Sequence, residues 1–68
     1  MSKKYRIRGK IYYFIKELPN KDTDFIKFMY EVQDTKKNIY TLIKTLKRYA
    51  LYKGDKKILD TYSISEVA

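Results

Sequence analysis

From Lys4 to Glu17 the chain alternates between two kinds of side chain, a period that belongs to an extended strand. Tyr5, Ile7, Ile11, Tyr13 and Ile15 fall on one side, with Gly9 in the same register. Lys4, Arg6, Arg8, Lys10, Tyr12, Phe14 and Lys16 fall on the other. The first set is expected to face a core and the second to face solvent. Gly9 marks a bulge or bend within this long segment. A bend sharp enough to split the strand would move the fold towards a small barrel and exchange the two faces beyond it.

Leu18-Pro19-Asn20-Lys21-Asp22 reads as a turn, with Pro fixing φ and Asn and Asp able to bond nearby backbone. A second strand is predicted over 24–33, with Ile26, Phe28, Tyr30 and Val32 on one face. Beyond Asp34 the apolar spacing changes to three and four residues, through Ile39, Leu42, Ile43, Leu46, Tyr49 and Ala50. That spacing predicts an amphipathic helix over 35–52, capped by Asp34 or Thr35 and closed at Gly54. A third strand is predicted over 57–65, with Ile58, Tyr62 and Ile64 on one side. The expected fold is therefore α+β: a β-β-α-β domain whose three-stranded antiparallel sheet carries one helix on one face. Ile7, Ile11, Tyr13, Ile15, Ile26, Phe28, Tyr30, Val32, Ile39, Leu42, Ile43, Leu46, Ile58, Tyr62 and Ile64 would form its core.

Sixty-eight residues suffice for a single domain with a small stability margin. The chain has neither cysteine nor histidine, which excludes disulfides and thiolate or imidazole metal sites and leaves no cofactor expected. General acid-base and nucleophilic catalysis lose their commonest groups, and the carboxylates show no diagnostic spacing, so an enzyme is not expected. No apolar run is long enough to span a bilayer or act as a signal peptide, so a soluble cytoplasmic protein without a membrane partner is expected.

The formal charge of +8 is concentrated in two segments, +6 over residues 1–16 and +5 over residues 34–53. Clustered cations favour a polyanion. On the expected open sheet face, Arg6, Arg8, Lys10 and Lys27 would hold phosphates of DNA or RNA while Tyr12, Phe14 and Phe25 stack on bases. On the expected helix, Lys37, Lys44 and Arg48 would extend the same surface. The alternative is a non-catalytic protein-interaction module, an inhibitor or adaptor of the kind a virus or other mobile element encodes. It would bind a protein partner, or a second copy of itself, through its Tyr- and Phe-rich surface.

Overall fold

A computed structural model describes residues 3–20 and 24–67. Lys21 and Asp22, in the predicted first turn, lie outside them. The described chain forms seven strands: β1 (Lys4–Ile7), β2 (Lys10–Glu17), β3 (Ile26–Asp34), β4 (Ile39–Thr45), β5 (Tyr49–Lys53), β6 (Lys56–Thr61) and β7 (Ser65–Val67). They make one antiparallel sheet in the order β6-β5-β4-β3-β2-β1-β7. The fold is all-β, and the α+β expectation with its three-stranded sheet is overturned.

The first strand is two strands. Arg8 and Gly9 both take positive φ, 51° and 82°, as a two-residue type I′ hairpin requires. The chain reverses there, pairing Ile7 with Lys10 and Tyr5 with Tyr12. The faces exchange beyond the turn: Tyr12 is buried, while Tyr13 and Ile15 are exposed rather than core.

The predicted helix over 35–52 is the β4–β5 hairpin and the loop before it. Ile39, Tyr40, Thr41, Ile43 and Thr45 are β-branched or aromatic, and such side chains prefer a pleated surface to a helix. Asp34 still caps free amides, but those of a hairpin loop: its Oδ1 accepts the N–H groups of Lys36 and Asn38, both at 2.9 Å. Lys37 takes the left-handed position of this three-residue loop, with φ of 69°. Gly54 closes no helix; with φ of 63° it opens the tight β5–β6 turn.

The predicted third strand is also divided. β6 ends at Thr61 on one edge of the sheet and β7 begins at Ser65 on the other. Six strand spacings would separate those edges by about 29 Å in a flat sheet. The link through residues 62–64 spans about 14 Å at most, so the sheet must coil into a partly open barrel. The Arg8 guanidinium spans the seam, donating from Nη2 to the Asp60 carbonyl at 2.9 Å. In a flat meander these two residues would lie at opposite ends, so β6 crosses β1 steeply. Three bulges help the sheet coil, with Ile15, Lys27 and Ile58 as the extra residues.

Inside the curl, Tyr5, Ile7, Tyr12, Val32, Leu42 and Leu51 form the buried cluster. Ile39, Leu46, Ile58 and Tyr62, expected in the core, are exposed instead. The Lys37 conformation yields a first prediction. Lys37→Gly should raise stability by about 1 kcal/mol, because glycine adopts positive φ without the Cβ penalty. A melting temperature higher by about 4–8 °C is expected. Lys37→Ala removes the same charge without that relief and should show no comparable rise.

Candidate functional site

Beside the buried cluster, five aromatic rings gather on the concave face. Phe28 and Tyr30, two apart on β3, stack with centroids 4.0 Å apart and planes 13° from parallel. Phe14 meets Tyr30 edge to face at 4.9 Å, and Tyr5 lies 6.2 Å from Tyr30 in a stacked orientation. Tyr49 on β5 faces Phe28 across 6.3 Å at a tilt of 52°. These rings gather because β1, β2, β3 and β5 all turn one set of alternating residues to the concave face. They border an open cleft of ≈ 270 Å³ lined by Lys3, Tyr5, Phe28, Tyr30, Tyr49, Ile64 and Glu66.

Two ammonium groups stand at this aromatic wall. Lys44 Nζ lies 4.4 Å from the Tyr49 ring centroid, and Lys3 Nζ lies 5.8 Å from that of Phe14. Burial, followed by the fields of Tyr30 and Glu66, raises the Tyr5 hydroxyl above its ordinary phenol value. It stays a neutral donor at physiological pH. The cleft lining thus offers aromatic surface, the Lys3 ammonium and the Glu66 carboxylate, with Lys44 at the Tyr49 ring beside it, a set suited to stacking and anion contact. Among the described residues, no group of three or more His, Cys, Asp or Glu side chains is placed to hold a metal ion.

The residues expected to make a single surface are dispersed. Tyr12 is in the core at 3% exposure, edge to face with Tyr40 at 5.5 Å, so it cannot stack on a base. Phe14 belongs to the concave aromatic wall, and Lys44 joins it from β4 rather than from a helix. Arg6 and Lys27 are exposed on β1 and β3, with β2 between them. Phe25 borders a second depression together with Thr45, Leu46, Lys47 and Arg48. Arg48 also stacks on the Tyr62 ring at 4.9 Å, donates to the Tyr62 hydroxyl at 2.8 Å and pairs with Asp60 at 3.5 Å. Arg8 and Arg48 are thus both engaged with the β6 end of the seam. Phe28 and Tyr30 were readable only as core positions and Tyr49 only as part of a helical apolar stripe, and their clustering depends on sheet curvature.

A second cationic locus lies at the hairpin tips. Along the sheet the β1–β2 tip neighbours the β3–β4 tip, and the β5–β6 tip follows beyond it. Lys10 and Lys36 border a common depression there, and the same tips carry Lys37, Lys53 and Lys56. A depression of ≈ 530 Å³ separates the first two tips, and Lys53 Nζ lies 6.0 Å from the Tyr40 ring at the third. Asp34 organises the β3–β4 tip. Its Oδ2 accepts bonds from Asn38 Nδ2 at 3.0 Å and the Tyr40 hydroxyl at 3.2 Å.

The Asn38 side-chain bond does most to hold the Asp34 carboxyl below its ordinary range. The Asn38 and Lys36 amides and the Tyr40 hydroxyl add to it, against a smaller opposing effect of burial. A carboxyl lowered in the folded state stabilises the fold at pH values above its unfolded value of about 3.9. That stabilisation is lost as pH falls through the folded value. Thermal melts should therefore show an acid-side loss of stability that shrinks in Asp34→Asn.

Among the described residues, no helix is long and apolar enough to cross a membrane. Compared with known families, curated proteins and solved structures, the chain matches none significantly.

Proposed function

We propose that this chain is a small basic β-barrel module, acting inside the cell, that binds DNA or RNA through its concave aromatic cleft. The observation that carries the proposal is the combination of that cleft with its ammonium margin. Phe28, Tyr30 and Tyr49 present ring surface, and Lys3 and Lys44 stand beside it. Single-strand binders pair stacking platforms with cations in this way. The three cationic hairpin tips and the net charge of +8 would draw a polyanion to the molecule before close contact. The role is binding without catalysis.

The test is a titration of end-labelled single-stranded DNA, duplex DNA and single-stranded RNA of equal length. A single-stranded form should bind most tightly, because duplex bases offer no free faces to the cleft. Absence of binding by all three at low salt would refute the proposal.

One observation favours a protein partner instead. Tyr13, Ile15 and Ile39 are 37%, 41% and 45% exposed on the convex face, and Tyr13 and Ile39 both pair with Gln33. An apolar patch of this kind suits a protein contact or a second copy of the chain. Light scattering distinguishes self-pairing: a monomer of 8.3 kDa under the nucleic-acid proposal, and twice that mass if the convex faces pair.

A further inference from the structure

We infer that the concave cleft accepts one unpaired base of a single-stranded nucleic acid, with the flanking phosphates held at Lys3 and Lys44. This rests on the nucleic-acid proposal above and adds the ligand group and its place. Size supports a single ring: ≈ 270 Å³ falls below the roughly 300–1,000 Å³ of pockets for drug-sized ligands. Shape supports a flat one. The Phe28–Tyr30 pair stacks as one wall, and Tyr49 stands 6.3 Å from Phe28 at a tilt of 52°, so flat ring surface borders the cleft.

Charge supports a base flanked by phosphate. The two ammonium groups lie over the outer rings of the wall, where a backbone on either side of an inserted base would pass. Glu66 is also part of the lining. Its carboxylate disfavours a phosphate deep in the cleft and offers an acceptor to the N–H groups on a base edge. An aromatic cage for an organic cation would share the rings but not the lysines.

The test compares two end-labelled oligomers with equal phosphate numbers at the same salt, one carrying bases and one fully abasic. Both are titrated against the intact chain by fluorescence anisotropy. Stacking of one base predicts that the abasic oligomer binds at least about fivefold more weakly. Phe28→Leu and Tyr49→Leu keep apolar bulk but remove a ring, and circular dichroism checks their folding. Each should weaken binding of the base-bearing oligomer and leave the abasic one unchanged. Equal affinity for the two oligomers overturns the inference and the cleft as a stacking platform, while nucleic-acid binding itself stands. So does a base preference that folded ring variants retain in full. Failure of both oligomers to bind at low salt overturns the proposal and the inference together. The oligomer comparison uses the unaltered protein, so it remains decisive if a variant fails to fold.

Discussion

Leu42→Ala and Leu51→Ala are each expected to leave the protein largely unfolded at 25 °C. These side chains are 1% and 0% exposed and oppose one another across β4 and β5. Truncating a buried leucine costs about 2–5 kcal/mol, from lost burial and from the cavity left behind. A core of this size rarely supplies more than about 3–5 kcal/mol in total. Urea titration should show little or no native baseline for either variant. Leu46→Ala, at a turn position 55% exposed, should change stability by less than about 0.5 kcal/mol. The contrast separates two architectures. On a helix over 35–52, Leu42 and Leu46 would share the buried stripe and both truncations would be severe. On the β4–β5 hairpin only Leu42 is inside. Tyr12 and Tyr13 give the same test of phase in β2, with the large loss expected for Tyr12→Ala.

Nucleic-acid affinity is expected to fall steeply with salt. Each neutralised phosphate releases condensed counterions, giving a slope of about −0.7 per contact for a single strand. With about five phosphates neutralised, affinity falls roughly a hundredfold between about 50 and 200 mM monovalent salt. A ligand held by apolar contact alone would show little change over that range. Converting Lys3 and Lys44 together to Gln should flatten the slope by about 1.4, two contacts' worth. An unchanged slope would mean that the phosphates are held elsewhere, with the hairpin tips as the next candidates.

The difficulty of reading this fold lies in runs where both faces are apolar. Residues 11–15 are Ile-Tyr-Tyr-Phe-Ile, so either phase satisfies a hydrophobic pattern, and the phase carried over from Tyr5 and Ile7 is the wrong one. Gly9 was the visible sign of a reversal, but only the backbone shows that Arg8 also adopts positive φ. In residues 39–51 the adjacent pairs Leu42-Ile43 and Ala50-Leu51 produce a helix-like spacing from two strands and a turn. The content of Ile, Thr and Tyr was the local signal against a helix.

Elements set by local patterning were readable. The inward face of β3, through Phe28, Tyr30 and Val32, is as the alternation implies. The β1–β7 pairing and the seam between Arg8 and Asp60 join residues more than fifty positions apart, and no periodicity encodes them. The cleft depends on that closure. Phe14 and Lys44 were visible as candidates, whereas Tyr5, Phe28, Tyr30 and Tyr49 become one surface only when the sheet curls.

The most direct measurement is amide chemical-shift mapping of the isotope-labelled protein during titration with a short single-stranded oligonucleotide. Binding in the cleft predicts perturbations at Lys3, Tyr5, Phe28, Tyr30, Lys44 and Tyr49, with Tyr13, Ile15 and Ile39 on the convex face little changed. Perturbations confined to the convex face, or none at saturating oligonucleotide and low salt, would contradict it.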